Sequence, residues 1–111
     1  MSKYSLVVPA YNEEKTLPLF YDAVVPLMES VGEEFEMIFV NDGSRDGTKE
    51  ILRGLAEKDA RVKVCNFSRN FGQQAAFLCG FSEATGDAVI AMDADLQDPP
   101  GVALKMIKKG K

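Results

Sequence analysis

Phe35-Glu36-Met37-Ile38-Phe39-Val40-Asn41-Asp42-Gly43-Ser44-Arg45-Asp46-Gly47-Thr48 changes character twice along its length. From Phe35 to Val40 it is nearly all apolar, the pattern of a strand buried on both faces. Asn41 to Gly47 is a tight polar loop. After Thr48 the apolar residues Ile51, Leu52, Leu55 and Ala56 fall at helical spacing, with Asp46 or Thr48 placed to cap the first turn.

The same strand–loop–helix order recurs on either side. Upstream, Ser5 to Val8 reads as a strand ended by Pro9, which lacks an N–H. Asn12 is placed to cap a helix with Glu13 and Glu14 in its first turn and Leu17, Phe20, Tyr21, Val24, Leu27, Met28 and Val31 on its apolar side. Pro26 should kink or split that helix, and Gly32 should close it. Downstream, Val62 to Phe67 reads as a strand, followed by a helix through Ala75, Ala76, Leu78, Phe81 and Ala84 that ends at Gly86. Ala88 to Met92 is a further strand. A last helix is expected to start at Pro100 and carry Val102, Leu104, Met106 and Ile107. This alternation predicts an α/β fold: a Rossmann-like parallel sheet with helices on both faces.

With 111 residues, the chain has the length of one domain. Its 13 Lys+Arg against 17 Asp+Glu give a net charge of −4, which argues against a nucleic-acid partner. There is no His, so His-based acid–base chemistry and His metal sites are excluded. Cys65 and Cys79 are too few for a disulfide framework and read as reduced, buried packing residues. No apolar run approaches the ~18 residues of a membrane span, and the N-terminal stretch lacks a signal-peptide core. The expectation is a cytoplasmic chain.

In open α/β sheets, ligands bind beyond the carboxyl ends of the strands. The polar clusters fall there: Pro9 to Glu14, Asn41 to Thr48, Ser68 to Gln74, and Asp93 to Pro100. Asp93 and Asp95 are the sharpest pair. In extended backbone, residues two apart point the same way, so the two carboxylates repel unless a cation lies between them. Oxygen-only ligands suit Mg²⁺ or Mn²⁺, and Mg²⁺ held by few carboxylates commonly shares substrate phosphates. Asp42 is placed to accept from a base N–H or a ribose hydroxyl, Asp46 suits a helix cap better, and Tyr11 could lay its ring against a base.

Rival motifs fail on the residues. A calcium loop begun at Asp42 would need Glu where Arg53 stands, and one begun at Asp93 would need Gly where Asp98 stands. Neither G-x-G-x-x-G nor G-K-[ST] occurs. A haloacid dehalogenase-type pair would follow the first strand, with Thr or Val at the place held by Gln97.

Val7-Val8-Pro9-Ala10-Tyr11-Asn12-Glu13-Glu14, Val40 to Thr48 and Asp93-Ala94-Asp95 together resemble glycosyltransferase family 2, the GT-A fold with a nucleotide-sugar donor. Ser68 to Ala76 and Asp93 to Pro100 look closest to its polyprenyl-phosphate sugar transferases. The resemblance implies a nucleoside pocket lined by Pro9, Tyr11 and Glu13, with Asp42 bonding the base. It implies a D-x-D motif, Asp93-Ala94-Asp95, on the donor, with Asp93, Asp95 and Gln97 around Mg²⁺ or Mn²⁺. A UDP- or GDP-sugar would be the donor and a lipid phosphate the acceptor, with inversion at the anomeric carbon. Such an acceptor is already an anion and needs no general base. Arg69, or the basic residues Lys105, Lys108, Lys109 and Lys111, would draw it in.

Family members run longer than this chain, and the acceptor side follows D-x-D. The expectation is therefore the N-terminal nucleotide-binding half of a GT-A enzyme acting at the cytoplasmic face of a membrane. The catalytic residues are not identifiable in it. The competing expectation is a non-catalytic module that binds nucleotide weakly or only self-associates as a homo-oligomer.

Overall fold

A computed structural model describes residues 3–94 and the backbone of 105–108. The order is β1 (Lys3–Ala10), α1 (Leu17–Val31), β2 (Glu34–Asn41), α2 (Thr48–Lys58), β3 (Val62–Asn66), α3 (Gln73–Glu83), β4 (Ala88–Ala91) and β5 (Lys105–Lys108). They form one sheet in the order β3-β2-β1-β4-β5. β1 to β4 are parallel, as the alternation predicts, and β5 runs antiparallel beside β4. The chain turns from one side of β1 to the other between β3 and β4, which makes the β1–β4 junction the topological switch point.

Both faces of the sheet are covered. On one, Leu6, Val8, Met37 and Phe39 pack with Leu17, Phe20, Val24 and Met28 of α1 and Leu52 and Leu55 of α2. The Phe20 and Phe39 rings meet edge to face, with centroids 6.1 Å apart. On the other, Val7, Ile38, Val40 and Val89 pack with Ala76 of α3 and Ala84. Gly80 brings α3 close to the sheet, since a Cβ there would run into Val7. Cys65 and Cys79 are free thiols on this second face, half-buried rather than fully buried. Burial pushes the Cys65 thiol up to about 11, with Cys79 beside it adding to the effect.

Several local expectations need correction. Met106 and Ile107 lie in β5, not in a helix; Val102 and Leu104 lie outside the described residues. So short a run cannot hold a helix by itself, whereas the open edge of β4 offers it backbone partners. β1 runs on through Pro9 instead of ending there. Val7 C=O accepts from Met92 N–H on the β4 side, while Ala10 C=O accepts from Asp42 N–H on the β2 side. Pro9 therefore turns its missing N–H toward β4, beyond the paired residues Ala88 to Ala91.

Nor does Pro26 split α1, which is one helix from Leu17 to Val31. Pro26 and Asp22 both face solvent, so water can reach the carbonyl that loses its partner, while Val24 and Met28 stay packed. Gly32 closes α1 in the left-handed conformation, φ 82°. Asn12 is not its cap: Thr16 holds that position and no acidic residue sits in the first turn.

Candidate functional site

The carboxyl ends of β1, β2 and β4 and the loop after β3 surround a cavity of about 460 Å³. Pro9, Ala10, Tyr11, Glu13, Asp42, Asn70, Gly72, Gln73 and Asp93 line it. The structure thus brings Pro9, Tyr11, Glu13, Asp42 and Asp93 together around one cavity. Asp95 and Gln97 lie outside the described residues. Ala94 is 1 % exposed and packs into the core, so only its backbone can face a ligand.

The loop after β1 is stitched to the loop after β2. Asn12, left-handed at φ 53°, donates its N–H to Ser44 Oγ at 2.9 Å, and its Oδ1 accepts from Arg45 N–H at 2.8 Å. Glu13 N–H donates to Thr48 Oγ1 at 2.8 Å, and Gly47 N–H to Glu14 Oε1 at 2.6 Å. The side chain of Asp46 accepts from the Thr48 N–H and hydroxyl at 3.0 and 2.6 Å, an Asx-type turn just ahead of α2; the N-cap position expected for Asp46 or Thr48 is held by Gly47. Burial works to raise the Asp46 carboxyl, but the Thr48 hydroxyl and N–H and the Glu14 N–H hold it below the usual range. These polar side chains are used to build the rim, which leaves Tyr11, 42 % exposed, free to present its ring.

Asp42 is 3 % exposed. Its Oδ1 accepts from Phe71 N–H at 2.7 Å, and its Oδ2 from Gly72 N–H at 3.0 Å and Asn70 Nδ2 at 3.2 Å. Gln73, the first residue of α3, donates its side-chain amide to Asp93 Oδ1 at 3.1 Å. In the sequence, the stretch Ser68 to Gln74 stands out as a polar loop, with a role expected only of Arg69. Asn70, Gly72 and Gln73 were missed because their contribution depends on contacts with Asp42 and Asp93, which no spacing within the stretch reveals.

A second cavity of about 350 Å³ shares Tyr11 and Asn70 with the first and is lined also by Asn41, Ser44, Arg45, Lys49, Asn66 and Arg69. Its three cations stand out on an acidic chain and favour an anionic or electron-rich ligand. Among the described residues no group of three or more Asp, Glu, Cys or His side chains is arranged to hold a metal. Asp93, with Oδ1 accepting from Gln73, offers the larger cavity a carboxylate of the kind a hard divalent cation takes. Among the described residues no helix is long and apolar enough to cross a membrane.

Residues 5–110 match the family described as Glycosyl transferase family 2, and the chain belongs to that family. It is 47% identical over 107 residues to the prophage bactoprenol glucosyl transferase homolog of Escherichia coli K12, covering 96% of this chain and 35% of that protein. Its fold superposes on the mannosyltransferase PcManGT of Pyrobaculum calidifontis, in complex with GDP-Man and Mn²⁺, with TM-score 0.71, 25% identity and coverage of 85% of this chain and 28% of that one. S. aureus TarS 1-349 in complex with UDP-GlcNAc gives TM-score 0.70 at 28% identity, covering 84% and 26%. The fold is thus the Rossmann-like part of a GT-A glycosyltransferase. The chain spans about a third of the length of the curated relatives it matches.

Proposed function

We propose that this chain forms the donor-binding part of a glycosyltransferase that moves a sugar from a nucleotide-diphosphate sugar to a polyprenyl phosphate, with inversion. The observation that carries this reading is the meeting of Pro9, Tyr11, Glu13, Asp42 and Asp93 around one cavity at the switch point. Membership of the family and likeness to a bactoprenol glucosyl transferase homolog support the class of reaction and the lipid-phosphate acceptor. The donor is a UDP- or GDP-sugar, since similar structures bind one of each kind.

Tyr11 offers its ring to the base, Pro9 and Glu13 line the nucleoside end, and Ala94 presents backbone toward the donor. Asp93, Asp95 and Gln97 would hold Mg²⁺ or Mn²⁺, and the Gln73 amide on Asp93 Oδ1 restrains that carboxylate at the cavity wall. When bound, the metal supplies positive charge to the departing diphosphate and orients the donor. The acceptor phosphate attacks as an anion, so no general base is required of this chain. The whole enzyme works at the cytoplasmic face of a membrane.

Titration calorimetry with UDP and with GDP, with and without Mn²⁺, tests this reading. Metal-dependent binding is expected, abolished by Asp95→Ala and at least about tenfold weaker in Asp93→Ala. No metal-dependent binding of either nucleotide sinks it. A second reading, self-association alone, draws on the exposed Leu19, Leu27 and Val31 along α1. Concentration-dependent mass without nucleotide affinity would favour it.

A further inference from the structure

We propose that Phe71 is a positioning residue of the nucleotide site: its ring holds the Arg69 guanidinium where it meets the nucleoside end of the donor. This rests on the nucleotide-binding role proposed above. The Arg69 guanidinium carbon stands over the face of the Phe71 ring, 4.7 Å from its centre. Phe67 meets the same ring edge to face, with centroids 5.5 Å apart and planes at 89°. The Phe71 N–H donates to Asp42 Oδ1 at 2.7 Å. The ring is thus fixed at its backbone by a buried carboxylate, and on one side by a second ring that packs on the core.

Among the described residues no carboxylate pairs with Arg69. An arginine left free in water samples many rotamers, and ordering it opposes ligand binding. A guanidinium is planar and weakly hydrated, so it can stack on an aromatic face while its N–H donors stay open at the edge. The Phe71 ring therefore orders Arg69 and leaves both its charge and its donors available. A carboxylate partner would neutralise the one and occupy the other. Arg69 lines the smaller cavity, which shares Tyr11 and Asn70 with the larger. Of the two cavities, Asp93 lines only the larger. The guanidinium thus stands at the Tyr11 end of the site, where it faces an electron-rich edge of the nucleoside and not the metal-bound diphosphate.

A double-mutant cycle tests this, read as UDP and GDP affinity in Mn²⁺ at a temperature where every variant is folded. Phe71→Leu keeps the N–H to Asp42 and an apolar side chain but removes the aromatic face. It should weaken binding about two- to fivefold, the range of a cation–π contact at an exposed site. Phe71→Tyr keeps the face and should bind within about 1.5-fold of wild type. Arg69→Ala should weaken binding about fivefold or more. In that background, Phe71→Leu should change affinity by less than about 1.5-fold, because the ring then has nothing to position. A second readout needs neither nucleotide nor a folded Phe71→Leu: the ring current of Phe71 should move the Arg69 Cδ proton resonances upfield in the wild type. The shift should persist in Phe71→Tyr and vanish in Phe71→Leu.

Four results would overturn the inference. One is full affinity in Phe71→Leu or in Arg69→Ala. Another is an equal loss from Phe71→Leu with and without Arg69, which makes the ring act on the loop or the nucleotide directly. The third is a loss in Phe71→Tyr as large as in Phe71→Leu, which makes the role one of packing. The last is a wild type without the upfield shift, in which Arg69 does not rest on the ring. Failure of the wild type to bind either nucleotide is a different outcome: it removes the donor-binding reading itself, and the positioning role falls with it even where the shift reports the stack.

Discussion

β2 carries a buried carboxylate near one end, Glu36, and is followed by another just past the other, Asp42; each is 3 % exposed. They are stabilised by different means. Glu36, at the amino end of the sheet, pairs with Lys63 Nζ at 2.8 Å and lies 3.8 Å from Lys3 Nζ. It also accepts from Ser5 Oγ at 2.6 Å and Thr85 N–H at 2.8 Å. Asp42, at the carboxyl end, receives neutral donors from one loop, the only donors to it among the described residues.

A second buried carboxylate at the amino end of the sheet is also paired with a cation. Asp59 there accepts from Arg61 and from the Tyr21 hydroxyl, and the Arg61 guanidinium holds its carboxyl well below the usual range. Burial and the neighbouring Asp59 push the Tyr21 phenol up to about 12. At the carboxyl end, fixed dipoles hold the buried charge, while Arg45, Lys49 and Arg69 line the smaller cavity, Arg69 stacked over the Phe71 ring. One end is built to be stable and the other to be shaped, and substitutions should separate the two.

The largest effect is expected at Gly43. Gly43→Ala adds a methyl against the Arg69–Asn70 backbone at a left-handed position. It should cost about 3 kcal/mol or more from strain and overlap together. Urea unfolding measures the loss, and any folded fraction should bind nucleotide more weakly. A stability change under about 0.5 kcal/mol would show that the two loops are not locked together.

Glu36→Gln comes next and should act on stability alone. Burial works to raise this carboxyl, but Lys63, Ser5 and Thr85 outweigh it and lower it from 4.5 to about 2. A shift of that size sets a ceiling of about 3 kcal/mol, and the half-exposed Lys63 ammonium lowers the expectation to about 2 kcal/mol. Because the folded form has the lower pKa, the contribution is full above about pH 4.5 and is lost as pH falls through about 2. Wild-type and variant stabilities, measured by denaturant at a series of pH values, should differ at neutrality and converge in acid. Nucleotide affinity at pH 7 should be unchanged. A loss of affinity in the folded variant would mean that the two ends of the sheet are coupled.

Glu36 and Asp42 also mark what the sequence reveals and what it hides. The four parallel strands follow from apolar runs such as Phe35 to Val40, because burial on both faces leaves a composition that local reading detects. The rim was legible for the same reason: strand ends predict where Pro9, Tyr11, Asp42 and Asp93 must lie. The uses of individual polar residues were not. Asn12 looks like a helix cap in its local sequence, yet its side chain serves Arg45, 33 residues away. Met106 and Ile107 fit a helical pattern until the open edge of β4 offers them backbone partners. Gln73 has no local signature at all, since its meaning comes from Asp93, 20 residues on.

Gln73→Ala is therefore the finest probe of the carboxyl end. The side chain is exposed and makes one bond across the rim, so its loss should change stability by less than about 0.5 kcal/mol. What it should change is the freedom of Asp93. Without the Gln73 amide on Oδ1, the carboxylate can rotate away from the cavity, and ordering it again opposes metal-dependent binding. UDP affinity in Mn²⁺ should drop about three- to tenfold, while any metal-independent binding stays the same. The contrast between the two conditions is the decisive measurement. An equal loss with and without metal would place Gln73 on the nucleotide itself. An unaltered affinity in Mn²⁺ would show that Asp93 is oriented by other groups.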